Sequence, residues 1–154
     1  MKLHYYHQRA QQYAAQLYLE PPAGDAEQVL STRALAILLL LGTDTGLKLT
    51  DLLKTRFSGL DGETLSAEVA RTGRTKRFKL SFTTRHYLEI YRSWLQVMGA
   101  DSDLIFYNPA VGKAFTRQWA YKKLNKLIAT SALAVASPAG AASALRKISN
   151  PIEL

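Results

Sequence analysis

Eight consecutive apolar residues, "ALAILLLL" at 34 to 41, do most to limit how this chain can fold. They lie in a helical stretch running roughly from 26 to 42, so that helix is apolar nearly all round. A helix without a polar face cannot lie on a surface and belongs at the centre of a domain, walled in by other elements. The run is about half the length a membrane span needs, so burial in protein is the expectation.

The flanking segments supply the walls. Leu3, Tyr6, Ala10, Tyr13 and Leu17 recur at helical spacing, which predicts an amphipathic helix over 3–19. "EPPAGD" at 20–25 ends it, because two prolines and a glycine cannot continue a helix. A short helix is expected over 49–56, closed by a turn at "SGLDGE". The period then changes to two. "TLSAEVA" at 64–70 and "KRFKLSF" at 76–82 alternate around "RTGRT", which predicts a hairpin with Gly73 at positive φ. Helix returns over 83–98, with Tyr87, Ile90, Tyr91, Trp94, Val97 and Met98 on one face and Arg85, Glu89, Arg92 and Gln96 on the other. "SDLIFYNP" at 102–109 reads as a short extended piece, followed by helices over 114–130 and 139–148. The expected fold class is α+β and mainly helical, with a small antiparallel β-hairpin or three-stranded sheet. A chain of 154 residues without repeats is expected to be one domain: N-terminal helix and linker 1–25, core 26–148, tail 149–154.

Cysteine is absent, which excludes disulfides, thiolate zinc sites and cysteine nucleophiles. "MKLHYYHQRAQQ" offers no apolar stretch for a signal peptide, so a soluble, cytoplasmic protein with no membrane partner is expected. The net charge of +8 is unevenly spread. Residues 71–92 hold seven Lys or Arg against Glu89 alone, and 113–126 hold five with no acid, which leaves the remainder net negative. Concentrated positive charge points to a polyanion, most often nucleic acid, against the plainer reading of a passive basic surface.

Three stretches together resemble the catalytic domain of the tyrosine recombinase (phage integrase) family. "STRALAILLLLGTDTGLKLTDLLKTRFSGLD" is similar to the block in which an apolar helix leads into a Thr-Gly-Leu-Arg turn and an acid-Leu-Leu helix. "EVARTGRTKRFKLS" is similar to the family's lysine-bearing hairpin, and "SDLIFYNPAVGKAFTRQWAYKKLNKL" to the strand and helix that enter DNA. The resemblance runs from about residue 28 to 147 and implies a tyrosine-recombinase catalytic-domain-like fold with a DNA partner.

In that family a tyrosine attacks a backbone phosphate held by two arginines, while a hairpin lysine and a histidine move protons. The resemblance sets Lys48 at the first arginine, beside Asp51, and Arg71 at the hairpin lysine. It sets Ser143 and Arg146, in "SALR", at the His-x-x-Arg pair. Lysine is a point charge where arginine grips two oxygens. Arginine never releases its proton, so Arg71 cannot act as a general acid. Only "KISNPIEL" follows, and all eight tyrosines lie at or before Tyr121, leaving the nucleophile's place without a tyrosine. The expectation is a pseudo-enzyme: a non-catalytic DNA-binding protein, serving as regulator or accessory factor of a mobile element, plasmid or phage. The alternative is a protein-interaction module that docks on an active recombinase or a transfer-complex protein, or self-associates. A residual strand-cleaving recombinase is the third reading.

The residues expected to meet double-stranded DNA fall in two groups. Lys48, Arg71, Arg74, Lys76 and Arg77 cluster at the first block and hairpin tip, unless that charge only guards a solvated hairpin edge. On the helix over 114–130, Ala120, Tyr121, Leu124, Leu127 and Ile128 form a core stripe. Arg117, Trp119, Lys122, Lys123 and Lys126 mark a basic face fit for a DNA groove, with Gln118 and Asn125 flanking it. Trp119 alternatively packs under 102–108. Arg146 completes the set. His4 and His7 share a face but lack a third ligand, and His86 lies beside Arg85, so no metal and no cofactor are expected.

Overall fold

The computed structural model describes residues 2–19, 25–100 and 102–130, with side chains from 9 to 126 within those ranges. Helix α1 spans Lys2–Leu19, α2 Ala26–Thr45 and α3 Leu49–Leu52. A 3₁₀ turn over Phe57–Gly59 leads into strands β1 (Leu60–Asp61), β2 (Thr64–Val69) and β3 (Arg74–Lys79). Helix α4 (Phe82–Val97), strands β4 (Tyr107–Asn108) and β5 (Lys113–Ala114), and helix α5 (Arg117–Thr130) complete the order. The expected helix over 139–148, the tail, and Ser143 and Arg146 lie outside the described residues.

Helix α2 is the axis. Asp25 caps it, its carboxylate accepting the Gln28 N–H at 2.9 Å. At the other end Gly46, at φ 67°, returns its N–H to the Gly42 carbonyl at 2.9 Å. A side chain in that left-handed conformation costs about 1–2 kcal/mol, so a glycine makes the stop. Every residue from Ala34 to Gly42 is buried between these ends, against α1, α4 and the elements beyond. By length and composition the whole of α2 could also cross a membrane, which its eight-residue run alone does not suggest. Here that run forms the hydrophobic core.

Small residues set the approach of α1. Ala10, Ala14 and Tyr18 form its buried line, and half-buried Tyr13 and Leu17 pack beside it. Gln11 is buried too and anchors a polar network. Its Nε2 donates to Asp44 Oδ1 at 2.7 Å and to Thr43 Oγ1 at 3.1 Å, and its Oε1 accepts from Ser81 Oγ at 3.0 Å. Asp44 Oδ2 also accepts the Ser81 N–H at 2.9 Å. Ser81 in turn caps α4, accepting the Thr84 N–H at 3.2 Å. One buried amide thus joins the end of α2 to the start of α4.

Several boundaries differ from expectation. Helix α3 stops at Leu52 rather than 56, and the "SGLDGE" turn contains strand β1, which pairs with β2 in a three-stranded sheet of order β1-β2-β3. Strand β3 begins at Arg74 and ends at Lys79, because Ser81 is already committed as a helix cap. Gly73 takes the expected positive φ, at 67°. Residues 113 and 114 pair as a strand with Tyr107–Asn108, so α5 starts at Arg117. The largest correction concerns α4. Its buried residues are Thr84, Leu88, Tyr91 and Leu95, whereas Ile90, Val97 and Met98 are exposed. The apolar arc of this helix is wider than the stripe the core accepts.

Candidate nucleic-acid interface

The turn after α2 and the β2–β3 hairpin face one another across a cleft of about 520 Å³. On one wall, Thr45 Oγ1 donates to the Leu41 carbonyl at 2.8 Å and accepts the Leu47 N–H at 3.2 Å, which braces the turn. Leu47 and Leu49 are buried on either side of Lys48, so the lysine between them is held half-buried at the mouth. On the other wall, strand alternation decides which hairpin residues face inward. Val69, Ala67 and Leu65 pair with Arg74, Lys76 and Phe78, and this face turns toward the core and the cleft. Lys76 lays its Nζ 5.4 Å from the centre of the Phe78 ring. Arg71 comes from the hairpin loop.

Asp51 links the walls. It is 4% exposed and accepts the Ala70 N–H at 3.4 Å, which ties α3 to the residue before Arg71. Lys48, Arg71, Arg74 and Lys76 bring four positive charges to the cleft, and Asp51 is the one acid in its lining. Among the described residues none of these four cations forms an ion pair. Unpaired cations converging on a concave surface make a site for an anion.

The structure separates Arg77 from this group. Its guanidinium lies across the sheet, 3.8 Å from Asp61 Oδ2 and 3.3 Å from Thr64 Oγ1. Lys54 and Arg56, outside the residues expected from the sequence, line a second groove of about 410 Å³ on the far side of Asp51. Arg56 is drawn toward Asp103, 3.9 Å away. The signal for both was their place directly after the acid-Leu-Leu triplet.

On α5, Ala120 and Leu124 are buried and Tyr121 is half-buried, as the stripe predicts, while the Leu127 and Ile128 side chains lie outside the described set. Lys122, Lys126, Gln118 and Asn125 are exposed and Lys123 is half-buried. Arg117 is exposed and leans on Tyr121, donating to its hydroxyl at 3.0 Å. Trp119 does not belong to the basic face. Its ring stacks on Phe115 with centroids 4.2 Å apart, and it packs at the core margin with a buried indole N–H that has no partner among the described residues. Helix α5 packs on α2 and α3, the pair whose junction carries Lys48, but none of its basic residues lines the cleft. His86 stacks on Phe82 at 5.9 Å, and no cluster fit to hold a metal occurs among the described residues.

No family model matches the chain, and no curated protein matches it in sequence. Its structure is similar to that of the XerH site-specific recombinase bound to its difH substrate in a pre-cleavage complex. The TM-score is 0.60 at 14% identity, with 92% of this chain and 40% of the recombinase chain covered. The fold is tyrosine-recombinase catalytic-domain-like, mainly helical with a small antiparallel sheet. At this identity the likeness establishes the fold and nothing further.

Proposed function

We propose that this protein grips the phosphate backbone of duplex DNA in the cleft between Lys48 and the hairpin, and does not cut it. The observation that carries this reading is the convergence of Lys48, Arg71, Arg74 and Lys76, unpaired, on one concave surface. The recombinase-like fold supports it, since the similar structure holds a DNA substrate. The non-catalytic part rests on residue chemistry. Lys48 offers a point charge where the reaction calls for a bidentate fork, and Arg71 cannot give up a proton. Such a protein would act as a regulator or accessory factor of recombination or of a mobile element, occupying DNA without breaking it.

One observation favours residual cleavage instead: Lys76, a side chain able to donate a proton, stands inside the cleft. Two measurements separate the readings. A gel-shift titration of duplex DNA at two salt concentrations should show affinity falling with salt, by about 0.9 in log–log slope for each phosphate contact. Nicked suicide substrates should yield no covalent protein–DNA adduct. Salt-independent or absent duplex binding would sink the DNA reading, and a phosphotyrosyl adduct would make the protein an enzyme.

A further inference from the structure

Phosphate binding uses only part of the cleft. Arg71, Arg74 and Lys76 are exposed, whereas Leu47 is buried and Val69 and Phe78 are half-buried against the core, so apolar side chains form its deeper part. Strand pairing sets the gradient. Val69, Ala67 and Leu65 face Arg74, Lys76 and Phe78, so one face of the hairpin passes from cations at the tip to an aromatic ring at the base. Each two-residue step along β3 covers about 6.6 Å. Among the described residues Phe78 is the one aromatic side chain in the cleft lining. The Lys76 ammonium lies over that ring, 5.4 Å from its centre. It is exposed on a flexible four-carbon stem, and swinging it onto a phosphate uncovers the ring.

We infer that the cleft takes in one unpaired nucleotide of the DNA it grips, with the phosphate on the rim cations and the base on the Phe78 ring. This rests on the DNA reading given above and narrows it to a kind of DNA. In continuous duplex the bases cover one another's faces, and phosphate contacts made from outside reach none of them. A nucleotide that has left the stack, at a bulge or a gap, offers an open face. A basic groove combined with an aromatic ring is what holds such a nucleotide, whatever its base. The size agrees: about 520 Å³ lies within the range of roughly 300–1,000 Å³ for small-molecule pockets, room for one nucleotide and too little for a duplex. Charge complementarity selects a nucleotide over an apolar ligand, because the occupant must meet Lys48, Arg71, Arg74 and Lys76 as well as the ring.

Fluorescence anisotropy with three probes of equal length tests the inference: a continuous duplex, the same duplex with one unpaired nucleotide at its centre, and that bulge made abasic. The bulged duplex should bind about ten-fold tighter than the continuous one, and the abasic bulge should lose most of that gain. Phe78→Leu keeps an apolar side chain at the core margin and should bring the ratio of bulged to continuous affinity close to one. Phe78→Tyr keeps the ring and should keep the preference. Equal affinity for bulged and continuous duplex overturns the inference. So does an abasic bulge bound as tightly as the complete one, which would mean that the protein selects a deformable backbone. A preference that survives Phe78→Leu also overturns it. Salt-dependent binding to continuous duplex without a preference sinks this inference alone, whereas no binding to any probe sinks the DNA reading with it.

Discussion

Lys48 sits where backbone geometry leaves little freedom: Gly46 turns the chain at φ 67°, and Leu47 and Leu49 are buried on either side. Its ammonium therefore works from a fixed base, and its contribution should be measurable by substitution. Lys48→Ala should weaken duplex binding and flatten its salt dependence by about 0.9 in slope. Lys48→Arg should strengthen binding by on the order of 1 kcal/mol through a second hydrogen bond to the same phosphate. Filter binding of the three proteins at matched salt checks this, and an unchanged or weaker Lys48→Arg complex would remove Lys48 from the phosphate site. At this scale the sequence was partly legible. Lys48, Arg71, Arg74 and Lys76 were readable and do share the cleft. Arg77 was grouped with them by proximity along the chain, although period-two alternation already put it on the other face. Trp119 had two readings in the sequence, on the basic face or packed under 102–108, and the ring it stacks on is Phe115, four residues earlier and ahead of the helix. No periodicity marks Lys54 and Arg56, because their groove lies between two elements; their place after the acid-Leu-Leu triplet is the one mark the sequence carries.

The hairpin shows the same alternation as an element, and that makes its two faces separable by experiment. Arg74 and Lys76 stand on the cleft face and Arg77 on the other, beside Asp61. Arg74→Ala/Lys76→Ala should lower affinity for all duplex sequences alike and reduce the salt slope by about 0.9 per lost contact. Arg77→Ala should change both far less. Lys122→Ala/Lys126→Ala, made in parallel, reports whether α5 joins the same DNA surface. Equal losses from Arg77→Ala and the cleft pair would mean diffuse charge attraction instead of a docking face. Element boundaries were less legible than element types. Strand β1 was hidden in a turn motif because two residues carry no period. Helix α4 showed its apolar residues correctly, but its sequence does not say which part of a wide arc the core will take.

Over the whole molecule, the fold was legible because one feature dominated it: the apolar run of α2 had to be central, and the other helices had amphipathic patterns suited to surrounding it. The polar cost inside that arrangement was not legible, since it arises from which ring meets which. Where α1, α2 and α4 meet, Tyr18 lies 5.3 Å from Tyr87 and 6.2 Å from Tyr91, and the Arg33 guanidinium stacks over Tyr18 and Trp94 at 5.0 and 4.6 Å. The hydroxyls of Tyr18 and Tyr91 are buried and have no hydrogen-bond partner among the described residues. Burial raises the Tyr18 pKa from 10.0 to about 12, with Arg33 opposing and Tyr87 adding to the rise. Tyr91 is raised further, by burial first and then by Tyr18. In both, the folded state favours the neutral phenol more than the unfolded chain does. Their stabilising effect is therefore complete below the unfolded value of 10.0, and it is lost as pH climbs through the raised folded values, near 12 for Tyr18. Thermal melts across that alkaline range should fall steeply. Tyr91→Phe removes both the ionisation and the unpaired hydroxyl, so it should melt no lower than the parent at neutral pH and lose less stability above pH 10. A Tyr91→Phe protein with a lower neutral melting temperature, or with an unchanged alkaline slope, would mean that this hydroxyl has a partner and that other groups set the high-pH limit.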